Sequence, residues 1–342
     1  MCSSPGSPSS LSQSSWSSHG PRAESSKESQ PVSTSNDPRG LVPVIQTPFQ
    51  ADGTIDLPSF DRLVDHTLSA GVGGVFFPGI ASEFYQLDDA ERGELTRRLL
   101  RRTNELPEVP AIVSITDQSA IVGVRRAREA LEAGADMINI MAPRFWRLPA
   151  EAVDEYFQTM LAELAPAPMM IQYASDVSSV GLTPNGLRGW AEQYPNLSCV
   201  KVEVDRPGPF IADLVEGTPA LGAFVGRSGL HLIDALEHGA TGVQPVTGFI
   251  EVFGDILTAW DAGRAEDARR IFERLLPYLV IGESEPGLMI AVAKTITARR
   301  GIIDTDVCRA PSVRLAPDML RLVDSLLDAF PALLCETAGV SA

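Results

Sequence analysis

Eight short apolar runs recur between Leu41 and Val246, each followed by a longer amphipathic stretch, and this alternation constrains the fold before any motif is considered. The runs are Leu41–Gln46, Gly74–Pro78, Ala111–Ile115, Met137–Met141, Met169–Tyr173, Ser198–Val202, Ala223–Gly226 and Gly242–Val246. Helical spacing of apolar residues is read between them, for example over Leu57–Ala70, Asp88–Asn104, Ser119–Ala133, Ala150–Leu164 and Leu230–His238. Strands alternating with helices of this length imply a parallel sheet with crossover helices. Runs rich in Val, Ile and Phe without polar alternation imply strands covered on both faces. A doubly wound open sheet and an α/β TIM barrel, (β/α)8, both satisfy the pattern. The count of eight favours the barrel, as does Thr47-Pro48-Phe49 after the first run, where a dinucleotide fold requires a glycine-rich turn. From Phe249 to Phe330 the chain reads as helices broken at Gly263, Gly282 to Pro286 and Arg300 to Pro311, a last barrel helix followed by a small C-terminal helical appendage. The expected division is a disordered Ser/Pro-rich extension over 1–39, the barrel over 40–262 and a helical segment over 263–342.

The extension differs in kind from the body, with fifteen serines in its first 36 residues and no apolar run long enough for a signal sequence. Its charges cancel, so the net charge of −16 lies in the body. Such a surface repels nucleic acid and anionic membranes, which excludes those partners, whereas a small acid responds to the local field of its pocket. No run approaches the roughly 20 apolar residues of a membrane span. Cys2, Cys199, Cys308 and Cys335 show neither pairing nor metal spacing, which fits a reduced, cytoplasmic setting.

Only three of the 28 cationic side chains are lysines: Lys27, Lys201 and Lys294. Lys201 falls inside the apolar run Leu197-Ser-Cys-Val-Lys201-Val-Glu203-Val204, near the C-terminal end of the sixth predicted strand, which is the end of a barrel that carries chemistry. Arginine stays protonated, but a desolvated lysine can lose its proton and attack a carbonyl. A lysine at a strand end can also snorkel to solvent, and that reading stays open on the residues alone. Residues two apart on a strand share a face, so Glu203 is expected beside Lys201 as a proton carrier or as an ion-pair partner.

Further segments carry a resemblance. Thr47-Pro48-Phe49 with Asp52-Gly53-Thr54-Ile55-Asp56, the loop Gly79-Ile-Ala-Ser-Glu83 leading to Leu87 and Glu91, Leu131-Glu-Ala-Gly-Ala-Asp136, Pro143, Pro195-Asn196, Val200-Lys201 and His238-Gly-Ala-Thr-Gly-Val243 follow one another at strand ends. In order and spacing they resemble the dihydrodipicolinate synthase and N-acetylneuraminate lyase family of class I, Schiff-base-forming lyases. The resemblance covers about residues 40 to 310. It implies that Lys201 forms an imine with pyruvate or a related 2-oxo acid, that no metal or organic cofactor is needed, and that the chain assembles as a homodimer or homotetramer. It also implies that backbone amides around Ala81 and Ser82 hold the substrate carboxylate, and it matches Tyr173 to the family's Leu-Tyr-Asn tyrosine, a second candidate for proton transfer or a packing residue.

The chain departs from the family at several of these positions. The family's proton-relaying tyrosine after the fourth strand is replaced within Met141-Ala-Pro143-Arg144-Phe145-Trp146, and its two threonines by Ile80 and Ala81. The carboxylate-anchoring arginine after the fifth strand is replaced at or near Ser178. Arg144 and Arg227 are the candidates to hold a carboxylate instead, since a guanidinium offers paired hydrogen bonds, although each could be a surface arginine paired with an acid. The activity expected is carbon–carbon bond cleavage or formation. The alternatives are an imine-based dehydratase or decarboxylase of a keto-deoxy sugar acid, which Val75-Phe-Phe-Pro-Gly79 loosely resembles, and a barrel retained for binding without turnover.

Overall fold

The computed structural model describes residues 37–144, 148–175 and 181–335. Eight parallel strands form one sheet: β1 (Gly40–Leu41), β2 (Val75–Phe77), β3 (Ala111–Ile115), β4 (Met137–Met141), β5 (Met169–Ala174), β6 (Leu197–Glu203), β7 (Gly222–Val225) and β8 (Gly242–Val243). Each pairs with its successor from β2 to β8, and β8 pairs with β1. Just beyond β1, Val44 bridges both Phe76 and Val246, which closes the ring into the expected barrel. The first and last strands are shorter than their apolar runs because Pro43 and Pro245 have no N–H for the ladder. Their carbonyls still accept, from Phe76 and Val44 respectively.

The crossover helices are α1 (Leu57–Ser69), α2 (Asp89–Thr103), α3 (Ala120–Glu132), α4 (Ala150–Leu164), α5 (Pro184–Gln193), α6 (Pro207–Val215), α7 (Leu232–Glu237) and α8 (Ile250–Asp261). Local chemistry starts several of them. Asp56 accepts from the Ser59 amide ahead of α1, Thr183 caps α5 with Pro184 following, and Asp88 with Glu91 forms a reciprocal capping box at α2. Four more helices follow: α9 (Ala265–Ser284), α10 (Pro286–Arg299), α11 (Pro317–Asp328) and α12 (Ala332–Cys335). The middle of α10 is buried from Met289 to Thr297, with Lys294, Thr295 and Thr297 among the buried residues. No described helix is long and apolar enough to cross a membrane.

Strand alternation divides the core. Ile138, Ile140, Ile171, Val200, Val202 and Val225 pack outward in the large cluster with the helices, while Val42, Phe76, Ile112, Met137, Met170, Cys199 and Phe224 fill the barrel interior. Burial pushes the Cys199 thiol up to about 12, so it is a packing residue.

One ionic cluster joins the two ends of the helical layer. Glu251 on α8 meets His66 of α1 at 2.8 Å and Arg300, just after α10, at 2.5 Å; Arg300 also donates to the Gly248 carbonyl at 2.8 Å. Burial alone pushes the Glu251 carboxyl up, but the hydrogen bonds from His66 and Arg300 outweigh it and hold it at about 2. A carboxyl lowered by folding adds stability that is complete above its unfolded value and is lost as pH falls through the folded one. Resistance to urea unfolding should therefore weaken from about pH 4.5 toward pH 2, and Glu251→Gln should flatten that decline. At neutral pH the same variant should lose about 3 kcal/mol by stranding the buried Arg300 charge. An unchanged urea midpoint at pH 7 would show that the cluster does not hold α1, α8 and the end of α10 together.

Candidate active site

The interior ends of the strands change from apolar to polar at one level. Above Ile112, Met137, Met170 and Cys199 come Ser114, Asn139, Gln172 and Lys201, each two residues further along its strand. The Asn139 amide donates to Ser114 Oγ at 2.9 Å and to Gln172 Oε1 at 3.4 Å, and Gln172 Nε2 donates to Glu203 Oε2 at 2.6 Å. The other carboxylate oxygen, Oε1, accepts the Arg227 N–H at 3.1 Å and lies 3.6 Å from Lys201 Nζ. The amine also lies 4.8 Å from the centre of the Phe76 ring. Lys201 is buried and pairs across the sheet with Gln172 on one side and Phe224 on the other.

Two backbone features set this arrangement. A Cβ on Gly226 would fall 2.3 Å from Glu203 Cγ, so only glycine lets the carboxylate lie against β7. Arg227, Ser228 and Gly229 then run through positive φ, at 46°, 52° and 83°. A left-handed non-glycine residue carries strain on the order of 1–3 kcal/mol and persists where neighbours hold it, as Glu203 does through the Arg227 amide.

These groups face a cavity of about 360 Å³ at the C-terminal mouth of the barrel. Gln172, Lys201, Glu203, Asp205, Arg227, Ser228 and Gln244 give it a polar side. Val44, Ile80, Ala81 and Val246 give an apolar one, and Pro286, Met289 and Ile290 of α10 complete the lining. Ile80 to Ser82 form a 3₁₀ turn whose leading amides have no carbonyl to meet inside the turn. Thr47 Oγ1 donates to the Ser82 carbonyl at 2.7 Å, and Ser82 Oγ accepts the Gly79 amide at 2.9 Å.

The predicted residues divide on this geometry. Lys201, Glu203, Ala81 and Arg227 meet at the cavity. Ser82 is buried beneath the turn and supports it. Tyr173 follows strand alternation to the outer face, where its ring lies against Phe210 of α6 at 5.7 Å, and it is not among the described residues that line the cavity. Arg144 is not among the described lining residues, and its guanidinium lies 5.5 Å from the Phe84 ring. Arg227 reaches the cavity while pairing with Asp205 at 3.0 Å. The substitutions at Phe145 and Ser178 lie outside the described residues. Sequence reasoning missed Gln172, Asn139, Gln244 and the α10 residues. A polar side chain in the middle of each apolar strand was a usable signal for the first two, whereas nothing local connects α10 to the mouth. Among the described residues no group of three or more His, Cys, Asp or Glu is placed to hold a metal.

Comparison with known proteins places the chain among relatives. The Dihydrodipicolinate synthetase family matches residues 37–330. The chain is 30% identical over 285 residues to L-2-keto-3-deoxyarabonate dehydratase of Azospirillum brasilense, covering 82% of this chain and 90% of that one. It is 29% identical over 300 residues to 4-hydroxy-tetrahydrodipicolinate synthase 2 of Streptomyces coelicolor, covering 84% and 94%. The crystal structure of dihydrodipicolinate synthase from Rhodopseudomonas palustris superposes with a TM-score of 0.80 at 26% identity, over 87% of this chain and 99% of that one. The chain belongs to the dihydrodipicolinate synthetase family and is a lyase of its Schiff-base class.

Proposed function

We propose that Lys201 forms an imine with the C2 carbonyl of a 2-keto-3-deoxy sugar acid and that Glu203 moves the protons by which this substrate loses water. The carrying observation is the carboxylate 3.6 Å from the amine, in a mouth whose described lining contains no tyrosine. The likeness to the Azospirillum dehydratase supports dehydration in particular.

The chemistry uses only groups of the site. The Lys201 amine adds to C2, and the carbinolamine expels water to give a cationic imine. The imine draws the electrons of a C3–H bond into an enamine as the Glu203 carboxylate takes the proton. The enamine then expels the C4 hydroxyl, which leaves as water with the proton from Glu203, so one carboxylate serves first as base and then as acid. Hydrolysis of the product imine returns the amine, and the net change is the loss of one water without oxidation or reduction. The substrate carboxylate is assigned to the Ile80 and Ala81 amides, and its hydroxyls to the polar side around Gln172, Asp205 and Arg227. The Asp205 pairing tempers the cation at Arg227, which suits a hydroxylated chain.

Incubation with a 2-keto-3-deoxy pentonate should yield a product lighter by one water and no pyruvate. Pyruvate with an aldehyde would replace dehydration by aldol cleavage, and recovery of unchanged substrate would leave a binding protein. Glu203→Gln should lower kcat about 100-fold or more while the borohydride-trapped Lys201 adduct still forms. Gly226→Ala, which crowds the same carboxylate, should lose activity to a similar degree with an unaltered circular dichroism spectrum; full activity would show that the placement of Glu203 is unimportant.

A further inference from the structure

Two lysines lie outside the first 36 residues, and both are buried. Lys201 lines the cavity. Lys294, on α10, does not; it is fully buried in an ion pair with the equally buried Glu83. Its ammonium also donates to the Val307 carbonyl at 2.9 Å and lies 4.3 Å from the centre of the Phe49 ring. The second oxygen of Glu83 accepts the Arg309 N–H at 3.2 Å. Desolvation offsets much of the attraction in a buried pair, so stability alone is a weak reason for one. The places it joins supply a better reason.

Glu83 is the corner between two short turns, Ile80–Ser82 and Phe84–Gln86, and it is left-handed at φ 54° and ψ 39°. Ile80 and Ala81, three and two residues before that corner, line the cavity. Lys294 follows Met289 and Ile290 by about one helical turn, and those two side chains line the cavity from above. The pair therefore ties the roof of the cavity to the turn whose residues Ile80 and Ala81 line it. A compact ammonium with three donors suits a carboxylate, a carbonyl and a ring face at one point, where the planar fork of an arginine would not fit the same three partners.

We propose that Lys294 and Glu83 are positioning residues for the carboxylate of the 2-oxo acid: their contact holds the corner that aims the Ile80 and Ala81 amides into the cavity. This rests on the proposed function, in which those amides take that carboxylate.

The test compares rates of borohydride-trapped adduct formation with pyruvate and with hydroxyacetone, a carbonyl compound without a carboxylate, in the wild type, Glu83→Gln and Lys294→Met. With pyruvate the apparent second-order rate should fall about tenfold or more in both variants, the scale expected when a binding contact is misplaced. With hydroxyacetone it should stay within about twofold of the wild type, since that reaction makes no use of the carboxylate amides. An equal fall with both compounds would reduce the pair to a structural contact, and no fall with pyruvate would remove it from the site. If Lys294→Met does not fold, Lys294→Met/Glu83→Met, which leaves no buried charge unpaired, carries the same comparison. Failure of the wild type to trap either compound would instead sink the Lys201 imine itself.

Discussion

A single carboxylate, that of Glu203, organises the barrel mouth. One of its oxygens is held by Gln172, the other by the Arg227 amide, and the buried Lys201 amine lies beside them. A buried amine and a partly buried carboxylate are each costly alone, so each depends on the groups around it. The polar chain from Ser114 through Asn139 and Gln172 fixes the carboxylate on the β5 side, while Gly226 leaves it room on the β7 side. The left-handed run after β7 is held by the same bond that positions Glu203, so local strain and site geometry share one interaction.

The helices beyond the barrel shape the mouth as much as the strands do. The buried α10 supplies the apolar cover through Pro286, Met289 and Ile290. The segment that follows it folds back over the start of the chain: Arg309 forms a paired contact with Glu91 at 2.7 Å to each oxygen, donates to the Gly53 carbonyl at 2.9 Å and lies 4.5 Å from the Phe49 ring. The loops after β1 and β2 are thus clamped from the C-terminal side. A substrate in this cavity meets polar groups from β5 to β8 and an apolar wall opposite.

Much of this was legible in the sequence. The eight apolar runs located all eight strands, with β3 and β4 matching residue for residue, because buried parallel strands leave uninterrupted hydrophobic runs. The ends of β1 and β8 were overestimated because apolar character continues past Pro43 and Pro245 although the ladder does not. The proximity of Lys201 to Glu203 followed from the two-residue period of a strand, and that period also puts Tyr173 outside, between the inward Gln172 and Ala174. The role of α10 was not legible, because a helix about 90 residues beyond Lys201 reaches the mouth only through tertiary packing that no local pattern encodes.

The chemistry of the barrel depends first on Lys201 as the nucleophile. Protein treated with pyruvate and sodium borohydride, then digested and mapped by mass spectrometry, should carry the reduced pyruvyl group on Lys201 and none on Lys294, and Lys201→Ala should carry none at all. An adduct on another residue, or no adduct with pyruvate or any of a small panel of 2-oxo acids, would contradict the assignment of Lys201 and leave the barrel without its chemistry.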